Sequence, residues 1–335
     1  MSFISRLSII FFIICFVYGC QNADDKKTAS EKEDVATKLP VNSFAADTIG
    51  KPYIAGDKLT YEQAYDKALA LFTTPIAEQY VKTRFGKAHI IVSGPETGEP
   101  LVLLHGMNAS STMWYPNMKA LSENYRVYAI DCFLEPGKSQ CIGEVDGMNE
   151  IIDWYLDIFD TLHLKKINLI GASRGGWLSV NIALRDPARI KKLVLLSPAQ
   201  TFGILKPGLG IYSDINYSVN PKRANLRDFL ETMSSNVDNM NQIFINQYYL
   251  ATQKAVIDTD ILKMQPFLRH ELKSLNIPIL VLIGDMDIIN GEMGLRRAKR
   301  LCPNAQTAVI GHAGHFVSMD QAEVVNKKVI DFLNK

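Results

Sequence analysis

The sequence predicts an α/β fold, a mostly parallel central sheet flanked by helices. Three observations carry that expectation. Short, continuous apolar runs recur at Leu101–Leu104, Val127–Ile130, Ile167–Ile170, Leu193–Leu196, Ile279–Ile283 and Thr307–Ile310. Strands with no polar face belong in a sheet covered on both sides. Segments of helical period lie between these runs, as in 149–162, where Ile151, Ile152, Tyr155, Ile158, Phe159 and Leu162 share one stripe. Finally, the run ending at Ile170 enters Gly171-Ala172-Ser173-Arg174-Gly175, and a helix-compatible stretch, Trp177–Leu184, leaves it.

Taken in order, the elements begin with an N-terminal segment. Met1–Arg6 carries one positive side chain, and Leu7–Tyr18 is mostly apolar but short for a membrane span. It ends in Val17-Tyr18-Gly19-Cys20, a small residue before a cysteine, which resembles a bacterial lipoprotein signal occupying 1–20. That resemblance implies lipidation at Cys20 and an extracytoplasmic, membrane-anchored protein. Cytoplasmic and secreted locations are the alternatives. Residues 21–50 form a polar linker, rich at its start in Lys, Glu, Asp, Thr and Ser and too poor in apolar residues to fold. Residues 51–335 form the folded domain. A helix is expected over 59–72, and Gln79–Phe85 and Ala88–Ser93 flank Gly86-Lys87 as a hairpin. Asp228–Met233 and Asn241–Leu250 read as helices, and Gln321–Leu333 as a C-terminal helix presenting Val324, Val325, Val329 and Phe332.

Composition narrows the function. The 335 residues are 47% hydrophobic, enough for one large domain. Lys and Arg total 36 against 35 Asp and Glu, so the net charge of +1 gives no reason to invoke nucleic acid. No cysteine or histidine spacing resembles a zinc site, and no dinucleotide or phosphate loop occurs. Beyond Cys15 and Cys20 the cysteines are Cys132, Cys141 and Cys302. Pairing of Cys132 with Cys141 and three free thiols both remain open.

The chemistry-bearing residues follow one chain order. Ser173 sits between an apolar run and a helix, the context of a nucleophile elbow. The strand Pro278–Ile283 runs into Gly284-Asp285-Met286-Asp287, and Val309-Ile310 precedes Gly311-His312-Ala313-Gly314-His315-Phe316. A serine hydroxyl is a weak nucleophile. It needs an imidazole to take its proton and a carboxylate to orient that imidazole.

With Leu103-Leu104-His105-Gly106, these segments make the chain resemble an α/β-hydrolase-fold serine hydrolase of the carboxylesterase type over roughly residues 79–335. The resemblance implies Ser173 as nucleophile, His315 as general base and then acid, and Asp287 as the acid that orients it. Asp285 and His312 compete for the last two roles, and motif register favours Asp287 and His315. It also implies an oxyanion hole from the backbone N–H groups of Met107 and Arg174, and no cofactor or metal. His105 is read as a structural histidine shaping that loop, and His312 as a loop histidine. The loop reads His105-Gly106-Met107-Asn108 rather than the Gly-rich form of some lipases, which argues against the subclass acting on tertiary-alcohol esters. Arg174, a charge beside the nucleophile, is expected to be solvated, the alternative being a bias toward anionic acyl groups.

In this fold the long stretch between the fourth and fifth parallel strands holds a cap, here a helical insertion at about 201–276. Tyr212, Tyr217, Phe229, Met233, Met240, Phe244, Tyr248 and Tyr249 supply its apolar surface. The expected reaction is cleavage of a small-molecule carboxylic ester through an acyl-enzyme. A lactonase, thioesterase, aminopeptidase or carbon–carbon hydrolase of the same fold is the alternative, as is a catalytically silent binding lipoprotein.

Overall fold

The computed structural model describes residues 37–38, 59–142, 145, 147–203, 217, 220–254 and 264–335. The expected lipoprotein signal, most of the linker and Tyr212 lie outside the described residues.

The strands are β1 (Thr37–Lys38), β2 (Ile76–Thr83), β3 (Gly86–Ser93), β4 (Glu99–Leu104), β5 (Tyr125–Ile130), β6 (Gln140–Cys141), β7 (Ile167–Ala172), β8 (Ile190–Leu196), β9 (Ile279–Gly284) and β10 (Ala305–Ile310). They form one sheet in the order β1-β2-β3-β5-β4-β7-β8-β9-β10, with β6 paired to β3. The pairs β1–β2, β2–β3 and β3–β5 are antiparallel, and from β5 to β10 every pair is parallel. All the expected apolar runs are strands. β1 is a two-residue pairing on Ala77 and Glu78, within the stretch read as linker.

The helices are α1 (Tyr61–Leu69), α2 (Tyr115–Ser122), α3 (Met148–Thr161), α4 (Arg174–Arg185), α5 (Arg223–Met233), α6 (Gln242–Lys254), α7 (Arg269–Ser274), α8 (Gly291–Leu301), α9 (Val317–Asp320) and α10 (Ala322–Leu333). Thr60 starts α1 with a capping box: its hydroxyl accepts the Gln63 N–H at 3.2 Å, and the Gln63 side chain accepts the Thr60 N–H at 2.9 Å. Alternate residues of each strand point to opposite faces, so the core has two halves. Leu101 and Leu103 of β4 pack under α1, α2, α9, α10 and the insertion helices α5 and α6. Val102 and Leu104 pack on the other face with α3, α4, α7 and α8. The aromatics of α3, Trp154, Tyr155 and Phe159, are core residues.

The hairpin differs from expectation in its turn. β2 and β3 pair up to Thr83 and Gly86, so Arg84 and Phe85 make the turn and Gly86 begins the second strand. Gly86 has φ +134°, and a Cβ there would stand 1.9 Å from Gln140 O. The glycine admits the close approach of β6 rather than closing the hairpin.

Strand order reverses at β4. The chain moves outward to β5 and then crosses back to β7 on the other side of β4. In an open parallel sheet the crevice beyond the carboxyl ends of such strands is where ligands bind.

Candidate active site

Ser173 lies in that crevice, between β7 and α4, with φ 51° and ψ −118°. For a non-glycine residue this is a strained conformation. Its surroundings hold it there. The Ser173 N–H donates to Leu196 O at 2.9 Å, and its carbonyl accepts from the N–H groups of Gly176, Trp177 and Ala199. The flanking glycines are required by contact. A Cβ on Gly171 would stand 2.2 Å from Gly175 O, and one on Gly175 would stand 2.3 Å from Leu104 O. The serine is thus presented at the start of α4, where helix N–H groups favour negative charge.

His315 Nε2 lies 2.8 Å from Ser173 Oγ, and His315 Nδ1 lies 3.1 Å from Asp287 Oδ1. Both the His315 and Asp287 side chains are buried. Asp287 Oδ1 also accepts the Ile289 N–H at 2.9 Å, and Oδ2 accepts Asn290 Nδ2 at 2.8 Å. Burial pushes the Asp287 carboxyl up, but the hydrogen bond from His315, with those from Asn290 and Ile289, outweighs it and holds the group below the usual value. Asp287 is therefore an ionised acceptor, and His315 donates to it from Nδ1. That leaves Nε2 to accept from the serine hydroxyl.

The competing residues sit elsewhere. Asp285 is exposed and accepts the backbone N–H groups of His312 at 3.1 Å and Ala313 at 3.0 Å. Those two hydrogen bonds hold its carboxyl below the usual range. It fixes the loop that carries His315. His312 is exposed, with φ 55°.

The turn His105–Asn108 passes beside Ser173. A Cβ on Gly106 would stand 3.3 Å from Ser173 Cβ and 3.9 Å from its Oγ. His105 is structural, as expected. Its Nδ1–H donates to Gly106 O at 2.8 Å, and its Nε2 accepts the Cys132 N–H at 2.8 Å. Burial foremost pushes its pKa down, and the Arg174 charge adds to this, keeping the ring neutral. Met107 and Arg174, the expected oxyanion donors, therefore lie on two segments that flank Ser173.

One expectation is corrected. The Arg174 side chain is not solvated. It is 4% exposed and paired with Glu135, itself 5% exposed, through an Nη1–Oε1 contact of 2.8 Å. The ion pair is buried because α4 begins against the turn after β5, where a guanidinium without a partner would be costly. Cys132, Cys141 and Cys302 form no disulfide. Burial pushes the Cys132 and Cys302 thiols up to about 11, so neither is a poised nucleophile.

The insertion reaches the site by two routes. Beside the His105–Asn108 turn, Tyr61, Asn108, Ala109 and Ser110 face Phe244, Gln247, Tyr248 and Ala251 of α6. Gln247 joins the two sides, accepting from Thr112 Oγ1 at 2.7 Å and donating to Ser110 Oγ at 3.0 Å. The end of α5 is stitched to the histidine loop. Phe316 N–H donates to Met233 O at 3.0 Å, and Ser235 Oγ donates to His312 O at 2.6 Å. Asp320, buried, accepts from the Gly314 N–H at 2.7 Å, the Ser235 N–H at 3.1 Å and Ser234 Oγ at 2.5 Å. Sequence reasoning missed Glu135, Gln247 and Asp320. For Glu135 the one available signal is its place just past the carboxyl end of a central strand.

The alpha/beta hydrolase fold family matches residues 99–322. An uncharacterised carboxylesterase, nap, of Bacillus subtilis is 35% identical over 296 residues, covering 84% of this chain and 95% of that one. The carboxylesterase YbfK of Bacillus subtilis is 33% identical over 281 residues, covering 82% of this chain and 94% of its own. The crystal structure of naproxen esterase (carboxylesterase NP) from Bacillus subtilis superposes with a TM-score of 0.76 at 34% identity, covering 84% of this chain and all of that one.

Proposed function

The chain belongs to the alpha/beta hydrolase fold family, and on that premise we propose that it hydrolyses carboxylic esters through an acyl-enzyme formed on Ser173. The observation that carries this reading is the continuous hydrogen-bonded chain from Ser173 Oγ through the His315 ring to Asp287. The carboxylesterase relatives support the choice of substrate class.

His315 Nε2 takes the hydroxyl proton as Ser173 Oγ attacks the ester carbonyl. Asp287 stabilises the imidazolium that forms. The carbonyl oxygen becomes an oxyanion, held by the backbone N–H groups of Met107 and Arg174. His315 then gives its proton to the departing alcohol. It next takes a proton from water as that water attacks the acyl carbon, and returns it to Ser173 Oγ as the acyl–oxygen bond breaks and the carboxylic acid leaves. No metal or cofactor takes part in this sequence. We also propose attachment to a membrane through lipid on Cys20, supported by the apolar run before it and the polar stretch after it.

The test is turnover of p-nitrophenyl esters of graded acyl length by protein lacking residues 1–20, with Ser173→Ala as control. Serine-dependent turnover supports the reading. A silent binding protein would turn over none. A thioesterase or aminopeptidase would prefer a thioester or amide over every ester in the series.

A further inference from the structure

Glu135 lies just past the end of β5, in a turn closed by its own N–H on Cys132 O at 3.0 Å. Its two carboxylate oxygens reach different segments. Oε1 accepts from Arg174 Nη1 at 2.8 Å, and Oε2 accepts the Asn108 backbone N–H at 2.9 Å. Asn108 directly follows Met107, and Arg174 directly follows Ser173. One side chain therefore grips both segments that bear the oxyanion donors. The same turn fixes the other end of the first segment, because the Cys132 N–H donates to His105 Nε2. Asn108 has φ 56°, a left-handed conformation that asparagine adopts more readily than most residues.

We propose that Glu135 is a positioning residue for the oxyanion hole: by holding the Asn108 N–H and the Arg174 guanidinium together, it sets the spacing between the Met107 and Arg174 N–H groups. The inference rests on the hydrolase reading given above. Donors stabilise an oxyanion only when they are fixed before the charge develops. A slack of about 0.5 Å is enough to spoil such a site. A lone carboxylate this close would repel the oxyanion. Arg174 neutralises it, so the pair supplies rigidity without net negative charge.

Removing one partner alone would bury an uncompensated charge. The test therefore uses two charge-free double variants of the full chain, Glu135→Leu with Arg174→Met and Glu135→Gln with Arg174→Met. Glutamine keeps an acceptor for the Asn108 N–H, and leucine does not. The readouts are kcat and KM on a p-nitrophenyl ester, affinity for a boronic acid that mimics the tetrahedral intermediate, and Tm. The leucine double is expected to lose about 10²-fold in kcat, with KM within about threefold and boronate affinity falling in parallel. The glutamine double is expected to recover about tenfold or more of that loss. Equal kcat in the two doubles overturns the proposal, as does a loss carried by KM. If the leucine double does not fold, Glu135→Asp decides. It keeps the charge but is one methylene short of both partners, and a folded variant with wild-type kcat overturns the proposal. Absence of Ser173-dependent turnover in the unaltered protein instead overturns the hydrolase reading, and this inference with it.

Discussion

His315 and Ser173, separated by 142 residues in sequence, meet at 2.8 Å between Nε2 and Oγ. Three strand ends create that meeting. β7 delivers the serine on a strained turn, β9 delivers Asp287 to the far side of the ring, and β10 leads into the loop that carries the histidine. The loop is not held by the His315 hydrogen bonds to Ser173 and Asp287 alone. Asp285 grips it from β9 and Asp320 from its own downstream helix.

The two carboxylates after β9 should separate cleanly on mutation. Asp287→Asn leaves the ring without its ionised partner and favours the wrong tautomer, so kcat should fall about 10³- to 10⁴-fold. Asp285→Asn keeps an acceptor for the loop and should stay within about tenfold of the unaltered protein. His315→Ala and His312→Ala should divide in the same way. Steady-state kinetics on one ester check all four variants, and a reversed order within either pair would reassign that site.

Asp320 ties the end of α5 to the histidine loop. Asp320→Ala removes the acceptor of the buried Gly314 N–H and Ser234 hydroxyl and of the Ser235 N–H at the edge of that site. Hydrogen bonds to a charged group are worth about 1.5–3 kcal/mol each, so Tm should fall by several degrees. Because Gly314 adjoins His315, kcat should fall too, by about tenfold or more. Thermal melts and kinetics together check this. A fall in Tm with wild-type kcat would confine Asp320 to a stabilising role.

Much of this architecture was readable in the sequence because burial on both faces leaves strands no polar positions. Leu101–Leu104 and Ile279–Ile283 are therefore unmistakable, and the glycines around Ser173 mark a turn that tolerates no side chains. What could not be read are relationships that exist only after folding. Arg174 looks like a surface charge until Glu135, 39 residues away, is brought against it. Gly86 looks like a hairpin glycine until β6 arrives over it. Asp320 has nothing in its local sequence to set it apart from a helix-end carboxylate.

Stability should depend on pH through His89. Its ring is buried, with Nδ1 at 2.9 Å from Asp131 Oδ2 and Nε2 at 2.8 Å from Glu78 Oε1. Tyr65 donates to the same Asp131 oxygen, and Lys138 pairs with Glu78. Burial pulls the His89 pKa down, but the two carboxylates outweigh it and raise the net value. Burial pushes Asp131 up, but the charge and hydrogen bond of His89 outweigh it and lower the net value. The histidine's contribution is full below its unfolded pKa of about 6.5 and is lost as pH rises through the raised folded value. The aspartate's contribution is present above about 3.9 and is lost as pH falls through its lowered folded value. The Tm penalty of His89→Gln should therefore be largest between about pH 4 and 6.5 and should shrink as pH rises through the raised folded value. A penalty constant through that rise would show that the pair is not charged.

Cys20→Ser should abolish lipid attachment and leave the chain uncleaved before residue 20. Metabolic labelling with a fatty acid and membrane fractionation check this. A protein recovered unlipidated, with Met1 intact, would remove the anchor and leave the chemistry at Ser173 unaffected.

Ester hydrolysis by this protein stands on the reactivity of one hydroxyl. A fluorophosphonate offered to the purified protein should form a single stoichiometric adduct, mapped by peptide mass spectrometry to Ser173. It should be absent from Ser173→Ala, whose circular dichroism should match that of the unaltered protein and whose kcat should be lower by at least about 10³-fold. An adduct on another residue, or ester turnover by Ser173→Ala at the unaltered rate, would contradict it.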